Sequence, residues 1–400
     1  MRWKNFVPAY EAWFNDEFVR NWGQKNNTDV IVTNVGLAEI GRRAAQEIKA
    51  GEGHDLVHFL SPKPSLEDHT IDHSDLHKEC ENRFGKAYEF AERSNVNPRT
   101  GRYHGFIESY APTVVTYRKD IWDAVGTVPN TWDDIRKAGR AAKLLHEMPV
   151  GISLAPEHNA NHSLRALMAA FGASVQNEDG RPILASANTL EALKFGKALY
   201  EETMLPETLA WGSPSNNQSV LAGAVSLTID TMSIIRAAEA KRLPVEPNLA
   251  LATLPEGPNG AGGPAYATNT YVIWRFAQNI DGAQKFLLDY MGAFREGLLK
   301  SGFQNMPSFP GAVADLNDLI RSSSQGGSRY GVLADVPESL TNLGYPGYSN
   351  AATDEVLNRH IIPEMFSRVA TGAATPQEAM DLASAAIVPI FEKWREAGKI

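Results

Sequence analysis

The chain has 400 residues, 43% hydrophobic, 21% charged and 9% aromatic, the balance of a folded globular protein rather than a disordered or fibrous one. Its 38 Lys+Arg against 47 Asp+Glu give a net charge of −9, which argues against nucleic acid or an anionic membrane as principal partner. One cysteine, Cys80, excludes an intramolecular disulfide framework and a cysteine zinc ribbon, and the best apolar run, Ala166 to Val175, falls far short of a membrane span.

At roughly 150 residues per domain the length suggests two or three domains. Trp3 to Phe6 reads as a short strand, followed at Pro8 by a helix with an inner stripe of Tyr10, Trp13, Phe14, Phe18 and Trp22. Asp29 to Thr33 is β-branched and strand-like. Gly36 breaks it, and Leu37, Ile40, Ala44 and Ile48 form a second helical stripe stopped at Gly51. Asp55 to Leu60 is a further strand, ended by Ser61-Pro62-Lys63-Pro64, so the start of the chain reads β-α-β-α-β. A second series follows: strand-like Pro112 to Tyr117, a helix capped by Thr131, and a strand from Val150 to Leu154. Later strands are Ser226 to Ile229, Leu249 to Leu254 and Tyr271 to Trp274, with a Gly/Pro-rich turn from Pro255 to Pro264. Asn188 with Glu191 has capping-box-like spacing, and Thr375-Pro376-Gln377-Glu378 matches that box fully. Two such series imply two α/β lobes, with ligands expected at the loops that follow strands.

Four stretches carry a family likeness. They are AAQEIKAGEGHDLVHF ending at Phe59; Tyr117-Arg-Lys-Asp120 followed by Val128-Pro-Asn-Thr-Trp-Asp-Asp134; Leu221-Ala-Gly223 to Ile229-Asp230; and Ala374-Thr-Pro-Gln-Glu-Ala379. In this order the sequence resembles the extracytoplasmic solute-binding proteins of ABC importers, in the group typified by maltose- and other sugar-binding members. The resemblance implies a two-lobe periplasmic-binding-protein fold (type II) with a ligand cleft between lobes that close about a hinge. It places the N-terminal lobe at 1–111 and 269–318 and the C-terminal lobe at 114–264 and 319–400. Hinge crossings are expected near 111–113, 265–269 and 311–319. Family members carry a signal peptide, and often a lipid-bearing cysteine behind it. This chain opens directly in a strand, so a processed, soluble periplasmic protein is expected, with a cytoplasmic homologue as the other reading.

Sugar recognition needs aromatic faces for the C–H side of a ring and amides, carboxylates and hydroxyls for its O–H groups. Asn5 and Phe6 follow the first strand at a helix start, although Phe6 also fits as a staple of that helix. Gly36 either lets backbone approach a ligand or simply ends its strand, and Ser61 is a strand-end contact or a turn residue. Glu108 and Tyr110 precede the first crossing, where the resemblance implies polar or aromatic contacts; a surface glutamate is the alternative, and Tyr110 the stronger candidate. Asn159 and His162 open a helix after the Val150–Leu154 strand, in a run with more polar groups than capping requires. Asp230 and Thr231 end another strand, with helix capping as their alternative role. Tyr266 and Thr268 lie at the second crossing. Tyr345 and Tyr348 sit in the late loop Gly344-Tyr-Pro-Gly-Tyr, and one of them is expected to stack on the ligand.

His69, His73 and His77 are spaced by four, but a turn at Thr70 to Asp75 breaks their shared face, so a solvated loop is preferred to a metal site. Phosphate-loop spacing, a nucleophile elbow and an H-E-x-x-H motif are absent from the sequence. The expected function is a monomeric receptor that binds a carbohydrate, glycoside or polyol and delivers it to an ABC permease, with no cofactor, metal or catalysis. An anionic, sulfonated or phosphorylated ligand is the first alternative, for which Lys4 and Arg165 are the local cations. Iron would need adjacent tyrosines, and no Tyr-Tyr pair occurs. An α/β enzyme acting on a small polar substrate is the second alternative.

Overall fold

The computed structural model describes residues 1–400 except Phe6, Ala261, Ala265, Tyr266 and residues 323–326; at Ala38, Ala267, Gly327 and Ser328 it describes the backbone. Among the described residues the strands are β1 (Arg2–Trp3), β2 (Asn34–Val35), β3 (Leu56–Phe59), β4 (Phe106–Ala111), β5 (Thr113–Arg118), β6 (Leu227–Thr231), β7 (Leu249–Ala252), β8 (Gly263–Pro264), β9 (Ala267–Ile273), β10 (Met306–Pro307) and β11 (Leu340–Thr341). The chain divides into two compact units. The first comprises Met1–Ala111, Ala267–Leu316 and Ser349–Ala351; the second comprises Pro112–Tyr266, Asn317–Tyr348 and Ala352–Ile400.

The first unit is built on a six-stranded sheet of order β10-β4-β9-β3-β1-β2. β1 pairs in parallel with β2 and β3, whereas β9 is antiparallel to both β3 and β4, so β1, β2, β3 and β4 all end at one edge. Side chains alternate across a strand. Val57, Phe59, Val272 and Trp274 therefore face one side, where they pack with Ile40 and Ala44 of the helix Leu37–Ala50. That helix follows its expected stripe and ends at Gly51, whose φ of 69° is the left-handed C-terminal stop that glycine adopts without strain. An aromatic cluster forms where Tyr10, Trp13, Phe14 and Trp22, along the run from Pro8 to Asn26, meet Phe286, Tyr290 and Phe294. The stripe spacing predicts this face, and ring pairs of this kind add about 0.5–1.5 kcal/mol each beyond burial.

Several expected elements shift. The strand expected from Trp3 to Phe6 is Arg2–Trp3, with Lys4 and Asn5 already outside it and Phe6 outside the described residues. The β-branched stretch from Asp29 to Thr33 is not a strand: Arg2 pairs with Asn34, so this stretch lies beyond the paired register, and Ile31 is exposed. Val150 to Leu154 touches β6 through one bridge, Val150 to Leu227, rather than a full ladder. The helix expected to be capped at Asn188 starts two residues earlier, as Ala187–Thr203 capped by Ser186, whose hydroxyl accepts from the Thr189 amide.

The second unit centres on the sheet β6-β5-β7, antiparallel throughout. The helices Trp132–His146, His158–Ala170, Ala187–Thr203, Ile361–Ala370 and Pro376–Glu396 bury one continuous apolar core with Val115, Leu227 and Ile229 of the sheet. Both expected caps form as full capping boxes: Thr131 with Asp134, and Thr375 with Glu378. Among the described residues, no helix is long and apolar enough to cross a membrane.

Candidate functional site

β6 ends in Asp230-Thr231, and beside it the chain that follows Val150 turns into the helix His158–Ala170. Glu157, not an asparagine, caps that helix; its carboxylate accepts from the amides of Asn159 and Ala160. The Asn159 side chain is thereby left for another use. Its Nδ2 donates to Asp230 Oδ2 at 3.1 Å, and the same oxygen accepts from Asn216 Nδ2. The other carboxylate oxygen, Oδ1, accepts from the Thr231 amide. Asn159 and Asp230, 71 residues apart in sequence, are thus brought together, with Asn216 as a third member.

All three are buried. Burial pushes the Asp230 carboxyl up to about 7, against the lowering effect of the Thr231 amide and Asn216 and with a small upward push from Glu157. An acceptor-only carboxylate draws the nitrogen ends of both amides, which turns their oxygens away. Among the described residues Asn159 Oδ1 and Asn216 Oδ1 have no hydrogen-bond partner. Two buried acceptors left open beside a carboxyl suit a ligand rich in O–H donors, since a buried acceptor without a partner costs about 1–3 kcal/mol. Asn216 is the residue the sequence reading missed. Its signal is the polar run Ser213 to Ser219 at a helix start, the same pattern that singled out Asn159.

His162 lies one turn beyond Asn159, buried, bonded to the Pro264 carbonyl and in ring contact with His158 at 4.7 Å. Burial first, then the charges of His158 and Arg165, hold its pKa well below 6.5, so it is neutral. The Thr231 hydroxyl donates to Ser233 Oγ, 3.0 Å away. Tyr345 is half exposed, and Tyr348 is partly buried, its carbonyl accepting from Gln176 at 2.8 Å.

The first unit gathers Asn5, Gly36, Ser61, Tyr110 and Thr268 at the edge where its parallel strands end. Asn5 is buried; its backbone N–H donates to Glu11 Oε1 at 2.6 Å, and its side-chain Oδ1 accepts from the Val7 amide. Gly36 has an ordinary φ of −64° and an added Cβ would meet nothing within 4 Å, so neither conformation nor crowding in this chain requires glycine there. Ser61 and Thr268 are buried, with Thr268 opposite Tyr110. The Tyr110 ring is held edge-on by Tyr88 and Phe90 inside the unit. Phe6 and Tyr266 fall outside the described residues.

Glu108 turns to the sheet face that carries Arg2, His58 and Tyr271. His58 stacks on Tyr271 and lies 3.3 Å from Glu108, and Arg2 pairs with Glu11 at 3.1 Å over the Phe14 ring. Burial pushes the Glu108 carboxyl up to about 8 and holds His58 well below its usual range, so the two meet as neutral groups.

Of the spaced histidines His69 is exposed, whereas His73 and His77 are buried rather than in a solvated loop. His73 ends the turn before the helix Ser74–Phe84, donates from Nδ1 to the Tyr103 carbonyl at 3.1 Å and accepts at Nε2 from the Ile273 amide; His77 stacks on Tyr103. A cavity of about 460 Å³ lies at the other end of the first unit's sheet, lined by Trp22, Ile31, His54, Asp55 and Phe286. His54 and Asp55 there are already engaged, His54 with Glu47 and Thr33, Asp55 with the amides of Gln278 and Asn279.

Residues 3–292 match the family described as bacterial extracellular solute-binding protein, and the chain belongs to that family. A Brucella abortus (strain 2308) chain named as a binding protein is 23% identical over 197 residues, 48% of this chain and 47% of the relative. This chain thus spans about half the length of the curated relatives it matches. Among solved structures it is similar to the MalE sugar-binding protein of Xanthomonas citri, with 17% identity, 99% and 98% of the two chains covered and a TM-score of 0.77. It is also similar to a ribitol-bound ABC transporter solute-binding protein of Agrobacterium radiobacter K84, with 16% identity, 97% of each chain and a TM-score of 0.78. Maltose-bound MalE3 of T. maritima gives 15% identity, 96% and 98% coverage and a TM-score of 0.76. Identities this low show a shared fold, the α/β fold of periplasmic sugar-binding proteins.

Proposed function

We propose that this solute-binding protein is the receptor of an ABC import system for a sugar-like solute, a carbohydrate, glycoside or polyol, and delivers it to a membrane permease. The observation that carries the reading is the buried Asn159–Asp230–Asn216 cluster, whose two open amide oxygens match hydroxyl donors. Ligand contacts are drawn from the strand ends of each unit: Asn159, His162, Asp230, Thr231 and Asn216 in the second, and Asn5, Gly36, Ser61, Tyr110 and Thr268 in the first. The relatives' bound ribitol and maltose support the same chemical class. In this reading the protein works as a periplasmic monomer without cofactor or turnover, and closure about the solute is a population shift set by contacts made only in the closed state.

A thermal-shift screen over sugars, polyols, glycosides and organic anions tests it, with product analysis on each hit. Saturable stabilisation by hydroxyl-rich solutes without turnover is expected. Stabilisation by none of them, or chemical conversion of a hit, contradicts the reading.

A further inference from the structure

One turn past His162 on the helix His158–Ala170, Arg165 is 7% exposed. Its Nη1 donates to the Leu343 carbonyl at 3.2 Å, while Nε and Nη2 have no hydrogen-bond partner among the described residues. No carboxylate forms an ion pair with it there either, and burial is the sole influence on its pKa, which falls only to about 10. The group is therefore a cation at neutral pH with its charge unmet, in a chain whose net charge is −9.

Arg165 lines a recess of about 30 Å³ within the second unit. A single water needs roughly 10–15 Å³, so the space suits the tip of a ligand and not a whole sugar ring. Every other lining residue is uncharged, and Ser174, Thr341, Asn342 and Tyr345 bring hydroxyl or amide groups to it. The loop that forms one wall is fixed in place. Gln176 Nε2 donates to the carbonyls of Gly344 and Tyr348, and a Cβ on Gly344 would meet the Tyr348 carbonyl oxygen at 2.1 Å. Tyr345 consequently stands half exposed at the rim.

A buried guanidinium whose fork is half empty, beside a small recess of mixed apolar and polar lining without a counter-ion, can receive a planar or tetrahedral oxyanion. We propose that Arg165 binds an oxyanion, a carboxylate or a sulfonate, carried on the solute, so that the transported molecule is an acidic sugar. This rests on the sugar-receptor reading above and narrows its substrate class.

The test compares matched pairs by calorimetry: D-glucuronate and D-galacturonate (carboxylate arm) and 6-deoxy-6-sulfoglucose (sulfonate arm), each against its neutral parent hexose. The expected result is an acid that binds at least about tenfold tighter than its parent, the scale of one charge-assisted fork. Arg165→Met should bring that ratio to about one, and Arg165→Lys, which keeps charge without the fork, should leave it in between. Equal affinity for acid and parent in the unaltered protein overturns the proposal. So does a ratio that survives in Arg165→Met, the outcome if Arg165 only braces the loop. If neither acids nor parents bind, the sugar reading has failed, and the recess is judged alone by the Arg165 Nε–H resonance during titration with acetate and methanesulfonate. A saturable shift upholds the anion site; an unmoved resonance overturns it.

Discussion

Each unit buries an arginine, and the two are treated in opposite ways. Arg2 is 2% exposed and pairs with Glu11 at 3.1 Å, its guanidinium 4.1 Å from the centre of the Phe14 ring. Arg165, buried in the second unit at 7% exposed, meets one carbonyl and no carboxylate among the described residues. A buried charge is tolerated when its partner lies within the fold, and Arg2 is a piece of scaffold: with Glu11 it braces the helix start against the strand and holds the Asn5 amide in place. A buried charge whose partner is missing marks where something from outside belongs.

The largest effect that breaks or sharpens this contrast is on stability. Arg2→Met strands Glu11 and should cost about 3–5 kcal/mol in urea unfolding, whereas Arg165→Met removes an unpaired cation and should be neutral or stabilising. Equal losses in both would erase the distinction. Next is solute affinity. Asn216→Ala takes one amide from Asp230 and one acceptor from the solute, so binding should weaken by about 1–2 kcal/mol, measured by calorimetry against the best solute from the screen.

A third effect comes from pH. Glu108 and Asp230 have folded-state pKa values raised to about 8 and about 7, above their unfolded values, so between about pH 4 and 8 the folded state binds the extra protons. These two carboxyls therefore contribute stability that falls as pH rises through that window. The buried histidines and the Met1 ammonium, whose pKa values burial lowers, contribute in the opposite sense, so the carboxyl effect is read as the difference between the parent and Glu108→Gln. Glu108→Gln should flatten the upper part of the curve, and a melting profile unchanged from the parent would contradict the assigned burial. The smallest effect is Thr375→Ala, which opens a capping box at an exposed helix start and should cost about 1 kcal/mol without touching solute affinity.

Local signals in the sequence were reliable where the physics is local. The stripe from Tyr10 to Trp22, the Gly51 stop and the Thr375 box each depend on residues within a turn or two, and each forms as spaced. The stretch from Asp29 to Thr33 failed because a strand needs a partner in register, which β-branching alone does not supply. Strand-end position singled out Asn159 and Asp230 separately; their contact across 71 residues is a property of the folded unit. Asn216 carried the same helix-start signal and was passed over, since nothing in its neighbourhood says that it meets Asp230. For Arg165 the sequence shows a cation on a helix but cannot show that no acid lies opposite it. Glu108 gave the converse lesson: its place before Ala111 suggested a ligand contact, while strand alternation turns the side chain toward His58.

The most direct measurement is a crystal structure of the protein with the tightest solute from the screen. Solute hydroxyls within hydrogen-bond distance of Asn159 Oδ1 and Asn216 Oδ1 are predicted, with the Arg2–Glu11 pair left intact. A solute bound elsewhere, with both amide oxygens meeting only water, would contradict the assignment of this cluster as the binding site.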